Sequence, residues 1–445
     1  MQRLPIIDLA LPLAARYARI VVCIGLAASV GCRSPAEAKD APRSDAPVAV
    51  LGDAGVGSAA AAGACICGPD DPDLAPPVHD QLTLTKAAYT DLPGWADDKH
   101  AEAVPSFLRS CEKLAKLKDD EPVGHDGHGG LAKQWRKACA AAKAVTAGDN
   151  AAAKKMFEAE FVPYVAAGKA GPEGKLTGYY VQEMRGSRKK SGKYQTPVYA
   201  RPKDLVMVDL SLYLKDAHGR RIWGKLDAKN ELVPAATREE IRKGALDGKG
   251  LELIYVDEPI DLLFAQIEGS AKAKLDDGSV VWLEFAGKNG RSYLGVGGVL
   301  KGMGELKTPG SGTMQGIRKW FEDHRPRWNE VVDKVHSYVF FHESALAGAV
   351  GSQMTILTTR RSMAVDRAFI AASTPIWVET RAPVVGLKTN APWHSLLIAQ
   401  DTGAGIQGAV RGDIYWGDDA AAAEIGGRMG GPGRYWLLLP KGVTK

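Results

Sequence analysis

The stretch His394-Ser-Leu-Leu-Ile-Ala-Gln-Asp-Thr-Gly-Ala-Gly-Ile-Gln-Gly-Ala-Val-Arg-Gly-Asp-Ile-Tyr-Trp416 decides how this chain folds. Its apolar start predicts a strand over 394–399 that ends at Asp401. A glycine-rich turn follows, then a short strand is predicted over 408–410, and Asp413 stands directly before the aromatic pair Tyr415-Trp416. The same texture extends outward on both sides. Strands are predicted over 374–378 and 435–439, and upstream over 177–181, 196–199, 205–208, 251–256, 280–285 and 337–341, where β-branched and aromatic residues alternate with Gly, Pro, Asp and Asn clusters. Short strands spaced in this way make barrels rather than a doubly wound sheet. Two helical exceptions are predicted, over 238–245 and 313–324, the second with Met314, Ile317 and Phe321 at helical spacing. From Leu82 to Phe161 the pattern is helical, so the fold class is mainly β with N-terminal helices.

The chain has 445 residues, of which 45% are hydrophobic and 24% charged, enough apolar material to exclude a wholly disordered protein. A formal net charge of +5 suits an acidic partner without demanding nucleic acid. Arg3, Arg16 and Arg19 precede an apolar run over 20–28 and the small residues before Cys32, which reads as an export signal over 1–32. Cys32 directly after Gly31 resembles a lipoprotein box, in which that cysteine carries the lipid. Residues 33–78 are rich in Ala, Gly, Pro, Ser and Asp and read as a flexible tether, with Cys65 and Cys67 inside it.

Cys111 and Cys139 fall on apolar faces of two predicted helices. A disulfide between packed helices and two separate buried thiols are both compatible with that placement. His125 and His128, in a Gly-rich loop without nearby cysteine, read as exposed side chains rather than as a metal site. The basic segment from Arg185 to Lys203 reads as a solvated hairpin or as a basic wall for a polyanion. Nucleic acid fits poorly, because the chain carries an export signal and this segment lacks an aromatic stacking platform.

His-Glu-x-x-His, G-x-S-x-G, Walker and paired C-x-x-C patterns are absent, which leaves carboxylate chemistry. Asp366, Asp401 and Asp413 punctuate the C-terminal block. A carboxyl at the end of a buried strand beside bulky aromatics is desolvated, which raises its pKa toward the range of a general acid. An Asp beside Gly is also an ordinary turn residue, and spacing alone leaves both readings open.

A series of short motifs extends the reading. In order they are Leu-Pro-Gly-Trp at 92–95, Leu-Thr-Gly-Tyr-Tyr at 176–180, Gly-Lys-Tyr-Gln-Thr-Pro-Val-Tyr at 192–199, Asp-Glu-Pro-Ile-Asp-Leu at 257–262 and Phe-Ala-Gln-Ile-Glu-Gly-Ser at 264–270. Ala-Gly-Lys-Asn-Gly at 286–290, Ala-Val-Asp-Arg at 364–367, Ala-Gln-Asp-Thr-Gly at 399–403 and Gly-Ala-Val-Arg-Gly-Asp at 408–413 complete the set. In this the chain resembles the MltA family of membrane-bound lytic murein transglycosylases, with its C-terminal three-aspartate domain.

The resemblance implies a double-psi β-barrel domain built from 79–181 and 343–442, a smaller inserted β-barrel over 182–342, and a glycan groove between them. It implies cleavage of the β-1,4 bond between N-acetylmuramic acid and N-acetylglucosamine in peptidoglycan, without water and with 1,6-anhydromuramic ends. One acid, Asp413, makes both proton transfers, while Asp401 and Asp366 support it. Substrate-binding roles are implied for Tyr180, Gln266, Gly269, Ser270, Lys288 and Asn289, with no cofactor and no metal. The implied setting is a monomeric exolytic enzyme on peptidoglycan strands, held by a lipid at Cys32 in the outer membrane and facing the periplasm. Departures from the family pattern are Gln407 in place of lysine, Glu268 in place of glutamine, and Val181-Gln182 in place of Glu-Pro. Two other readings stay open: a hydrolase in which Asp401 or Asp366 activates water, and a lipoprotein that binds the wall without cutting it.

Overall fold

The structure, a computed structural model, describes residues 80–214, 221–403 and 405–443. The predicted leader over 1–32, Cys32, the tether over 33–78 and its Cys65 and Cys67 lie outside the described residues. No helix among the described residues is long and apolar enough to cross a membrane.

Six strands close on themselves. Gly174–Tyr179 pairs in parallel with Arg411–Tyr415, which pairs antiparallel with Ser362–Val365. Ser362–Val365 runs parallel to Asn390–Asp401, and that strand is antiparallel to Pro375–Pro383. Gly430–Pro440 joins Pro375–Pro383 on one side and returns to Gly174–Tyr179 on the other, so the ring has no edge within it. This is the double-psi β-barrel. Phe161–Ala167 and then Thr83–Lys86 add to the outside of Gly430–Pro440.

Strand side chains alternate between the two faces, and here the inward set is Leu176, Met363, Val365, Ile376, Val378, Leu397, Ile414 and Tyr435. The residues between them, Thr177 and Asp413 among them, therefore face outward. Gly174 is obligatory in this ring, because a Cβ there would lie 1.7 Å from the Val410 carbonyl oxygen.

Three helices, Val104–Leu114, Ala132–Lys143 and Asn150–Glu160, bury Phe107, Trp135 and Phe157 against Trp377, Leu396 and Leu438 of the barrel. The bridge between the first two is formed, with Cys111 and Cys139 joined. Arg361, buried at the barrel start, pairs with Asp98 at 2.8 Å and Glu102 at 3.0 Å and ties the N-terminal segment down.

The chain leaves the barrel after Tyr179 and returns to it at Ser362. Between them lies a second sheet in the order Val339–Glu343, Val280–Lys288, Ser270–Leu275, Gln182–Ser187, Glu252–Val256, Thr196–Tyr199. A bridge from Ala200 to Phe341 links its two ends. Its core is Met184, Val198, Ile254, Leu262, Ala273, Leu283 and Phe341.

Three sequence expectations are corrected. Residues 408–410 form a turn, and the strand begins at Arg411. Thr83–Lys86, inside the stretch read as helical, is a strand held by Phe161–Ala167. Pro259–Glu268 is a helix that periodicity missed, because Ile260 and the run from Leu262 to Gln266 are all buried and leave no polar face to reveal a 3.6-residue repeat.

Candidate active site

Asp413 lies on Arg411–Tyr415, with Thr177 as its register partner on one side and Ala364 on the other. Because Ile414 points into the barrel, Asp413 points out, toward the inserted domain, and keeps part of its surface open. Thr177 Oγ1 donates to Asp413 Oδ1 at 2.7 Å. Burial dominates the electrostatics and pushes the Asp413 carboxyl up to about 6. The Thr177 hydrogen bond and the Arg411 and Lys175 charges oppose that rise, and the Asp401 charge adds to it. An acid titrating near 6 can give a proton to a leaving oxygen and take one back.

Asp401 is placed differently. Its Oδ1 accepts from the amides of Ser352 and Thr402, both at 2.8 Å, and its Oδ2 accepts from the Tyr179 hydroxyl at 2.9 Å. Burial raises its pKa, and these donors pull it back toward the ionised form. Ala364 is the register partner of both Asp401 and Asp413, so the two aspartates stand two strands apart. At the usual strand spacing that sets their Cα atoms roughly 10 Å from one another.

Asp366 works one step away. Its Oδ2 accepts from the Gly408 amide at 2.7 Å and its Oδ1 from Ala368 at 3.0 Å, while Asp80 accepts from Ala409 at 2.8 Å. The two carboxylates pin the turn that delivers the Asp413 strand. Gly408, at φ +123°, supplies backbone freedom at that point.

The inserted domain faces this wall. Trp282 packs on the cluster of Tyr179, Val181, Ala364 and Tyr415, and Lys272, whose ammonium lies 5.5 Å from the Trp282 ring centre, pairs with Asp418 at 2.9 Å. Glu268, the last residue of Pro259–Glu268, accepts from the Tyr180 amide at 3.3 Å. A cavity of about 590 Å3 opens along the same seam, between Phe264, Lys274 and Arg318 of the insert and Asp418 and Ala423 of the barrel, with Tyr180 in its wall. Asp413 does not line it. The carboxyl environment of Asp413, and not the size of a cavity, makes it the candidate acid.

The residues implied for substrate binding are placed unequally. Tyr180 is at the seam, buried, with its hydroxyl donating to Gln182 Oε1 at 3.1 Å. Asn289 has no exposed surface; its amide donates to the Ala236 and His336 carbonyls, and its oxygen accepts from Tyr338 N. Gln266 is likewise buried, accepting from Arg238 and donating to the Val339 carbonyl at 2.9 Å. Both side chains are interior, each engaged by protein groups at its amide oxygen and its amide nitrogen. Gly269, at φ +82°, ends the helix, Ser270 opens the next strand, and Lys288 is half-buried opposite Val339. The structure adds Thr177, Tyr179, Ser352 and Glu268 to the site. The first two lie in the Leu-Thr-Gly-Tyr-Tyr motif, which signalled the strand but not their partners. Among the described residues no cluster of three or more His, Cys, Asp or Glu side chains is arranged to hold a metal.

Comparison with known proteins agrees with this geometry. Residues 175–342 match the MltA specific insert domain and residues 361–439 the 3D domain. Membrane-bound lytic murein transglycosylase A of Escherichia coli K12 is 30% identical over 266 residues, which are 59% of this chain and 65% of that protein, just under two thirds of its length. The crystal structure of MltA from Neisseria gonorrhoeae in its monoclinic form is 30% identical with a TM-score of 0.68, covering 82% of this chain and 94% of that one. The lytic transglycosylase LtgG of Burkholderia pseudomallei is 34% identical with a TM-score of 0.54, covering 82% and 98%.

Proposed function

The chain belongs to the MltA family, and from that premise we propose that it is a lytic transglycosylase of peptidoglycan in which Asp413 is the single acid and base. The protonated Asp413 carboxyl gives its proton to the glycosidic oxygen as the bond from muramic C1 to the N-acetylglucosamine O4 breaks. The muramic C6 hydroxyl then closes on C1, and its proton returns to Asp413. Water is neither consumed nor released, a 1,6-anhydro ring forms, and the carboxyl ends as it began. The substrate supplies its own nucleophile, and its ring tether supplies the proximity.

The observation that carries this reading is the contrast between the two carboxylates nearest the seam. Asp413 titrates near 6 with one neutral donor on it, whereas Asp401 is already occupied by three donors. A hydrolase needs a second carboxylate free to attack or to activate water. Asp401 instead holds Tyr179 and the Ser352 and Thr402 amides, and Asp366 holds a turn. In the same reading residues 79–181 with 343–442 form the catalytic barrel, 182–342 form the opposite wall of the glycan groove, and Cys32 carries the lipid that keeps a monomer at the outer membrane, facing the periplasm.

The test is mass spectrometry of peptidoglycan sacculi digested with the protein and with its Asp413→Ala variant. Anhydro ends, one water lighter than reducing ends, are expected from the parent and absent from the variant. Reducing ends would make the protein a hydrolase. Undigested sacculi that still retain the protein would make it a wall binder.

A further inference from the structure

The two strands that bring Thr177 beside Asp413 run parallel and lie more than two hundred residues apart in sequence, so no hairpin sets their register. Each is entered through a turn: 168–171 precedes Gly174–Tyr179, and 408–410 precedes Arg411–Tyr415. One side chain holds both turns. Asp80, half-buried, lies just beyond the span read as a tether. Its Oδ1 accepts from the Lys169 amide at 2.8 Å and from the Gln81 amide at 2.9 Å, while its Oδ2 accepts from the Ala409 amide at 2.8 Å. Asp366 takes the adjacent Gly408 amide, and the Tyr435 hydroxyl donates to the Ala409 carbonyl, so the second turn is fixed by side chains. Burial acts to raise the Asp80 carboxyl, but the Lys169, Ala409 and Gln81 amides and the Lys169 charge outweigh it and hold the group below its ordinary value. Asp80 is therefore an anion wherever Asp413 titrates. Asp366 and the buried Tyr435 are the other titratable groups that feel its charge.

We propose that Asp80 is a positioning residue for the Asp413 acid, a latch that fixes the entries of the two catalytic strands against each other. It touches neither the glycan nor Asp413. The pair of Arg411 and Lys175 follows the latch, and Asp413 and Thr177 stand two residues further on. Roughly 13 Å of chain thus separates Ala409 from Asp413 at the usual strand rise. Over that length the alignment of the entries decides whether Thr177 Oγ1 reaches Asp413 Oδ1, and such a bond weakens steeply once its geometry is lost. Losing the latch should resemble losing the Thr177 hydroxyl: the carboxylate is less favoured and the acid is less well aimed. Asparagine is not a neutral substitute for Asp80. Its carbonyl can keep the Lys169 and Gln81 amides, but its NH2 group then meets the Ala409 amide donor to donor. A direct charge effect has the opposite sign. Removing an anion eases ionisation of Asp413, by about 0.2 pH unit across such a distance in water-like surroundings.

This inference rests on the transglycosylase reading for its kinetic consequence only, and the experiment separates the two. The parent, Asp80→Asn, Asp80→Ala, Thr177→Val and the double variant Asp80→Asn/Thr177→Val are compared. The Asp413 carboxyl is titrated by carbon-13 NMR of aspartate-labelled protein, its signal assigned with Asp413→Asn, and kcat and KM are measured for release of anhydro ends from glycan strands. If the parent makes no anhydro ends, the reading of the site fails, while the carboxyl midpoint still decides the latch. Asp80→Asn and Asp80→Ala are each expected to raise the Asp413 midpoint by about 0.3–0.5 pH unit. They are expected to lower kcat about threefold to tenfold with KM within about twofold, as misaim of a catalytic group does. In the Thr177→Val background Asp80→Asn should raise the midpoint no further, because both changes remove the same contact. Asp80→Asn keeps two of the three acceptor contacts, so the test stands if the alanine variant does not fold. An unchanged or lowered midpoint would overturn the proposal, since loss of charge alone lowers it. So would a rise that adds fully to that of Thr177→Val, or parent-like kcat in a variant of an active parent.

Discussion

Asp413→Asn should stabilise the fold in neutral solution and leave it unchanged in acid. The rise of the Asp413 carboxyl from 3.8 to about 6 means that the folded protein holds a proton across that interval which the unfolded chain releases. Stability is therefore full below about pH 4, falls as pH climbs through the interval, and stays lost above it. At about 1.4 kcal/mol per pH unit the loss is about 3 kcal/mol. Asp413 keeps part of its surface open to water, and screening brings the realised figure to roughly 1–2 kcal/mol. Asparagine resembles the protonated acid and can still accept from Thr177, so it escapes this loss. Asp366, Asp401 and Glu268 are also raised by burial, but they titrate in both proteins and largely cancel. Urea unfolding of parent and variant at pH 4, 5, 6, 7 and 8 should give curves that coincide at pH 4 and separate above pH 6, with the variant the more stable. A stability difference that stays flat from pH 4 to 8 would show that Asp413 is not desolvated, and the single-acid mechanism would lose its physical basis.

Three other perturbations follow from the same contacts. Thr177→Val removes the donor that favours the Asp413 carboxylate, so the alkaline limb of kcat/KM should move up by roughly half a pH unit to one, read from a pH–rate profile. Replacing Cys111 and Cys139 by alanine opens a bridge across a sequence separation of 28; chain entropy for a loop of that size amounts to roughly 3–4 kcal/mol, measurable by denaturant unfolding. Arg361→Met leaves Asp98, itself buried, without its counter-ion, which should cost roughly 3–5 kcal/mol and expose residues 80–103 to proteolysis before the barrel unfolds.

Much of this arrangement is written locally. The strand Thr196–Tyr199 coincides with its predicted span, and Asp366, Asp401 and Asp413 stand out because glycines and aromatics flank them. What sets their roles is not local. Thr177 and Tyr179 reach Asp413 and Asp401 from more than two hundred residues upstream, and only barrel closure brings that strand beside Arg411–Tyr415. The burial of Gln266 and Asn289 and their partners Arg238, Val339, Ala236 and His336 are not legible in the sequence, because those partners lie 28 to 73 residues away. The helix ending at Glu268 escaped notice because burial all round erases the periodicity that marks a helix. Asp366 was legible as an important acid, but its work of pinning Gly408 depends on a turn where a strand had been expected.

The hydrogen bonds on the carboxyls bear on the proposed chemistry more than their number does. Asp401, Ala364, Asp413 and Thr177 lie in sequence across four neighbouring strands, so Asp401 and Asp413 stand two strands apart. The residue between them is alanine, buried in the cluster with Tyr179 and Tyr415 on which Trp282 packs. Asp401 is then close enough to raise its neighbour's pKa and too engaged to compete for the proton. Freeing it for general-base work would leave the Tyr179 hydroxyl and two backbone amides without their acceptor, each at a cost of about 1–3 kcal/mol. In the proposed mechanism this arrangement leaves Asp413 as the one acid and keeps Asp401 engaged with its three donors, so that the substrate's own hydroxyl is the nucleophile.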